Sequence, residues 1–185
     1  MKHVLRVLLA VCLMFSGAGQ SLACGNPMLW ALLFEHHPEA KIAFRADMAA
    51  RKAGIVQARP FVGTPGVSYH SWSLKSLNRL AHEMAPEISA NLLEEDTFTV
   101  LLAIEVAAIR FHGGNKAPEI ISASQIKTIS DYDVTTTVNV LHSGWRHSLD
   151  YDAMVENDLI VLANPDAGET IASLFDTTSN ASLRP

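Results

Sequence analysis

Cysteine is scarce in this 185-residue chain: there are two, Cys12 and Cys24. They form no CxxC pair, so a local dithiol redox motif or cysteine-rich zinc site is excluded. The metalloprotease HExxH helix, the GxSxG nucleophile elbow, and the GxGxxG and P-loop phosphate frames are also missing. Basic residues are outnumbered, 14 against 19 acidic, for a net charge of −5. Such a chain has little electrostatic attraction for a polyphosphate backbone, so no nucleic-acid partner is expected. Long apolar runs are missing too. The longest near the start, Val7 to Phe15, is nine residues, well short of the roughly 20 needed to span a bilayer.

What precedes and follows that run carries the clearest signal. Lys2 and Arg6 stand before it, and small or polar residues, Ser16 to Ser21, stand after it. The order resembles a secretory signal peptide. The expectation is therefore a signal peptide over residues 1–23, a single α/β domain over 24–175 and a flexible tail over 176–185. Export implies a periplasmic protein, free or anchored to the membrane by lipid.

The bond before Cys24 has two readings. Ser21 and Ala23 put small residues at −3 and −1, as ordinary signal cleavage requires. Ala23-Cys24 also resembles a bacterial lipobox, although Leu22 sits at −2 where that pattern places leucine at −3. Lipidation would give a role to Cys24, the sole cysteine beyond the signal, and Gly25-Asn26-Pro27 would serve as a tether. In a third reading Cys24 is a reactive thiol, because Asn26-Pro27 looks like the start of a helix whose dipole lowers a nearby thiol pKa.

Without residues 1–23 the chain has 162 residues, enough for one domain with a real core. Its charge is uneven. Residues 41–80 carry seven basic side chains against one acid, Asp47, whereas from Asp131 onward nine acids face Arg146 and Arg184. Either the two halves face each other or are simply solvated, or the basic half meets anionic lipid or an acidic partner.

Hydrophobic periodicity predicts helices over Met28–His37 and Glu39–Ala53, the second closed by Gly54, with Phe44 and Met48 on its buried face. Ile55–Val62 reads as an edge strand because of Pro60. Ser73 is the expected cap of a helix carrying Leu77, Leu80, Ala81 and Met84, which Pro86 either ends or follows with a short further turn through Leu93. Thr97–Ile104 is an uncharged, β-branched strand buried on both faces. A short helix over Glu105–Phe111 follows, closed by Gly113-Gly114. Strands at Glu119–Ser122, Asp133–Thr137 and Leu159–Ala163 alternate with helices at Val138–Trp145, Asp150–Glu156 (Ser148 as cap) and Pro165–Phe175. The predicted fold is α/β: a helical N-terminal part, then strand–helix alternation with a mostly parallel sheet.

In parallel sheets, ligands lie beyond the carboxyl ends of strands. Glu105 directly follows the best strand and Thr137 ends another, so Glu105, Thr137 and His142 are the candidate ligand-binding residues. The seven histidines beyond the signal show no ligand spacing, and a metal site would have to be assembled by the fold. The acid pairs Asp131/Asp133 and Asp150/Asp152 lack EF-hand spacing. No cofactor, catalytic residue or metal ligand is assigned. The function class that emerges is an exported accessory domain binding a small ligand or a protein partner. A periplasmic enzyme or metal carrier built on fold-assembled histidines is the alternative.

Overall fold

The computed structural model describes residues 27–57, 69–114, 116–145 and 149–175. The predicted signal peptide, Cys24, most of the Ile55–Val62 strand candidate, Ser148 and the tail beyond Phe175 lie outside the described residues.

Helices α1 (Pro27–His36) and α2 (Pro38–Lys52) are separated by the buried His37. Each opens on proline, whose fixed φ suits a first turn and whose missing N–H is no loss there. The buried stripe of α2 is Ala40, Ala43, Asp47 and Ala50, small residues apart from the acid. Gly54, at φ +74°, ends this segment as expected, its N–H bonding Arg51 O at 3.1 Å. Met48 does not join Phe44 in the core: it is 49% exposed, because the inward arc is centred on Ala43 and Asp47.

Helix α3 runs from Tyr69 to Ser89. It starts before Ser73 and passes through Pro86, so neither the predicted cap nor the predicted interruption holds. Burial of Leu77, Leu80, Ala81, Met84 and Ile88 along one face outweighs the hydrogen bond that Pro86 forgoes.

Five strands follow: β1 (Thr97–Leu102), β2 (Ala107–His112), β3 (Glu119–Ser122), β4 (Val134–Thr136) and β5 (Val161–Leu162). They form one sheet in the order β3-β2-β1-β4-β5. Helices α4 (Val138–Trp145), α5 (Tyr151–Glu156) and α6 (Ala167–Ser173) complete the described chain. Asp150 caps α5, accepting from Ala153 N at 2.8 Å.

The α/β class is observed, but the sheet is mixed, and β1–β4 is its one parallel pair. The cause is local. Glu105–Phe111, expected as a short helix, is instead the end of a hairpin turn followed by β2. Without a crossover the chain reverses, and the next strand must be antiparallel. The alternation of Ala107, Ile109 and Phe111 against Ala108 and Arg110 suits a strand, and registering Phe98 with Phe111 and Val100 with Ile109 buries it. Val106 takes φ +51° to close the turn, a cost that this pairing offsets.

Both faces of β1 and β2 are covered. Phe98, Val100, Leu102, Ile109 and Phe111 pack with α3 to α6 in one cluster. Leu101, Ala103 and Ala108 pack with Leu33, Phe34, Ala40 and Phe44 of α1 and α2 in the other. Helix α2 joins both, since its later Ala46 and Ala50 belong to the first cluster. Between those two ends stands Asp47.

Candidate functional site

The parallel pair β1 and β4 delivers its carboxyl ends side by side, with Ala103 N bonded to Thr136 O at 2.9 Å. Glu105 lies in the turn after β1, and Thr137 directly follows β4. Thr137 is buried and has two roles. Its Oγ1 accepts from Val140 N at 3.2 Å, which caps α4. The same hydroxyl donates to Asp47 Oδ1 at 3.1 Å. Asp47 also accepts from the side chain of Asn139 and sits 2.8 Å from Arg51 Nε, one helical turn along α2. Arg51 Nε and Asp47 Oδ2 are poorly aligned for a hydrogen bond, so their contact acts chiefly through charge.

Glu105 completes the cluster. The residue as a whole is half-buried, but its carboxyl points inward. It accepts from its own N–H and from Val138 N–H in the first turn of α4. Its Oε2 is shielded from solvent and has no partner. Burial pushes the Glu105 pKa up from 4.5 to about 7, against the two N–H donors and Arg51 and with help from the nearby Asp47 charge. The helix N-terminus favours a carboxylate, but desolvation is the larger effect. Burial raises Asp47 as well, opposed by Arg51, Thr137 and Asn139. Trp30 steadies the turn by donating its indole N–H to Ile104 O at 3.0 Å.

Of the three residues predicted from sequence, Glu105 and Thr137 thus converge on one helix start. His142 lies one turn beyond Val138 on α4, roughly 6 Å along the axis. It is half-buried and makes an interaction of its own. Asp47, Arg51, Asn139 and Trp30 were not predicted as site residues. A signal for Asp47 existed: it is the lone acid in a basic stretch, at helical spacing with Ala40, Ala43 and Ala50.

Several of the remaining candidates make local contacts, while His147 and the side chain of His70 lie outside the described residues. His37 donates from Nε2 to Ile126 O at 3.1 Å and meets Tyr132 edge-on, ring centroids 5.3 Å apart. His82 bonds Asn78 O at 2.8 Å, and His112 stands 3.7 Å from Glu119. Among the described residues no three His, Cys, Asp or Glu side chains are grouped to hold a metal ion. Asp131 accepts from Lys127 N and Thr128 N, and Asp133 accepts from Thr99 N at 2.8 Å, so these acids organise loops. Gly113 and Gly114 close the end of β2, not a helix. Ser124 and Lys127 stand at the SxxK spacing of a serine nucleophile and its base. The chain there is a single 3₁₀ turn that becomes extended at Ile126, and Ser124 bonds Ser122 at 2.9 Å, so the two side chains do not share a helical face. A shallow recess of about 480 Å³ between α5 and α6 includes Asp150, Asp152 and Glu169, the first already engaged as a cap.

The fold and site define a mixed α/β protein with a buried carboxylate pair at the carboxyl ends of its parallel strands. No family model, curated protein or solved structure matches the chain.

Proposed function

We propose that this chain is an exported binding domain that takes a small molecule bearing an N–H or O–H donor at the Glu105–Asp47–Thr137 cluster. The observation that carries the reading is Glu105 Oε2, a buried acceptor without a partner. Leaving such an atom unpaired costs about 1–3 kcal/mol, and a ligand donor removes that cost. Arg51, with its side chain 27% exposed, links the cluster to the surface. The test is thermal unfolding of the purified protein against a panel of small amines and polyols. A ligand at 100 times its Kd stabilises by about 2.7 kcal/mol, a rise of roughly 5 °C or more in a domain of this size. The rise must vanish in Glu105→Leu, which removes the acceptor. If no compound gives a Glu105-dependent shift, the reading fails.

The same group supports a second reading as an enzyme. A carboxyl held near pH 7 suits a general acid–base. Turnover of a bound compound, lost in Glu105→Gln while binding persists, would favour catalysis over binding alone.

Export rests on the order of residues 1–24, and the proposal keeps both fates of Cys24, lipid attachment and ordinary cleavage. No helix among the described residues is long and apolar enough to cross a membrane. A buried CH₂ contributes about 0.8 kcal/mol, so a lipidated Cys24 with two or more acyl chains would hold the protein at the membrane firmly. Intact mass measures the processing at Cys24. Fractionation of wild type and Cys24→Ser tells the fates apart: release of the mutant from membranes supports the anchor, and a soluble wild type removes it.

A further inference from the structure

We propose that the outward face of α1 and α2 docks on an anionic lipid bilayer, an inference independent of the ligand reading. Seven large apolar side chains among the described residues are markedly exposed, and five of them fall between positions 28 and 55: Met28, Leu32, Ile42, Met48 and Ile55. On α2 the exposed arc lies opposite the buried Ala40–Ala43–Asp47–Ala50 stripe. It carries Ile42 and Met48 together with Lys41, Arg45 and Lys52. No acid on α2 is exposed: Asp47 is buried, and Glu39 is half-buried and accepts from Tyr132 Oη at 3.0 Å. The exposed charged or titratable groups of α1 are Glu35 and His36, at its far end.

The two helices lie back to back in sequence and side by side in space. Trp30 and Phe44 stand equally far from His37 on either side, and their rings are 5.4 Å apart. The start of α1 therefore lies beside the second half of α2, which brings Met28 to the end that carries Met48.

A surface of lysine and arginine with apolar side chains between them is the chemistry that anionic membranes recognise. Cations meet the lipid headgroups, and the apolar groups enter the acyl boundary. The contrast with the rest of the chain is direct, because its net charge is negative and nine acids face only Arg146 and Arg184 beyond residue 130. An acidic protein would satisfy the cations but would leave this apolar surface less well used.

The test is co-sedimentation of the processed chain, residues 24–185, carrying Cys24→Ser, so that neither an acyl chain nor the apolar leader contributes, with two kinds of vesicle. One kind is phosphatidylcholine alone, and the other contains about a third phosphatidylglycerol. Binding to the anionic vesicles is expected to be at least about tenfold stronger and to fall steeply with added salt. Each basic residue near such a surface contributes roughly fivefold, so Lys41→Gln/Arg45→Gln/Lys52→Gln should weaken binding about 100-fold. Ile42→Ser/Met48→Ser should weaken it about tenfold. Every substituted side chain is exposed, and an unchanged circular dichroism spectrum checks that the fold is intact. Equal binding to neutral vesicles, no binding to anionic ones, or a triple variant that binds like the parent would overturn the proposal.

Discussion

Thr137 Oγ1 donates to Asp47 Oδ1 across 3.1 Å, joining the residue after β4 to a helix ninety positions earlier in the chain. The same oxygen accepts from Val140 N, so one hydroxyl both caps α4 and satisfies a buried acid. The carboxyl end of the sheet is thereby tied to α2, and the two apolar clusters that α2 touches are held in register.

Thr137→Val should therefore cost more than an ordinary cap. Loss of the cap contributes about 1 kcal/mol, and withdrawing a donor from buried Asp47 adds about 1–3 kcal/mol. Thr137→Ser keeps the hydroxyl and should stay within about 1 kcal/mol of wild type, the loss being one methyl group. Urea unfolding of the three proteins measures this. A valine variant as stable as wild type would show that the link holds nothing.

Glu105 sets a pH dependence with a definite sign. Its folded pKa, about 7, lies above its ordinary value of 4.5, so the folded protein binds the proton more tightly than the unfolded chain. The stability this provides is fully present below pH 4.5 and is lost as pH rises through about 7. At 1.36 kcal/mol per unit, the contribution is about 3 kcal/mol. Asp47, also raised by burial, acts with the same sign. Urea midpoints between these two pH values should fall in wild type. Glu105→Gln should flatten that slope and be the more stable protein at pH 8. A wild type that gains stability over this window would contradict the assignment.

The elements whose apolar pattern had one solution were legible in the sequence: α1, the body of α2, β1, β3 and α4 lie close to where periodicity put them. Glu105–Phe111 was not. Its alanines and its glycine terminator suit a short helix, and its strand character arises only from pairing with β1 and burial of Ile109 and Phe111. The parallel sheet was misjudged at that same segment. Glu105 and Thr137 were legible because each directly follows an apolar strand. Asp47 and Arg51 were not, because only tertiary packing brings α2 across the ends of those strands.

Gly113 offers a test of the β2 exit. A Cβ there would overlap the backbone carbonyl of Leu93, which has no room to yield. Gly113→Ala should destabilise by more than about 2 kcal/mol. Gly54→Ala, where nothing lies within 4 Å of the added atom, should cost only the strain of φ +74°, about 1 kcal/mol. Equal effects at the two positions would mean that the turn after β2 is looser than the structure shows.

The last prediction separates the charges around Glu105. Asp47 raises its pKa and Arg51 lowers it, both by less than burial does. Asp47→Asn should therefore move the Glu105 carboxyl titration below pH 7, and Arg51→Gln should move it upward, while Arg51→Lys, which keeps the charge, should move it least. Carboxyl-carbon NMR shifts follow each titration directly. The Asp47 result carries the most information, because Asp47 is itself raised by burial. If Asp47 is ionised while Glu105 titrates, its removal lowers Glu105 and the two acids form one coupled site. If Asp47 keeps its proton through that range, Asp47→Asn leaves Glu105 in place. Burial, opposed by the two N–H donors and Arg51, would then set the Glu105 value without Asp47, and the pair would not act together on a ligand or a proton.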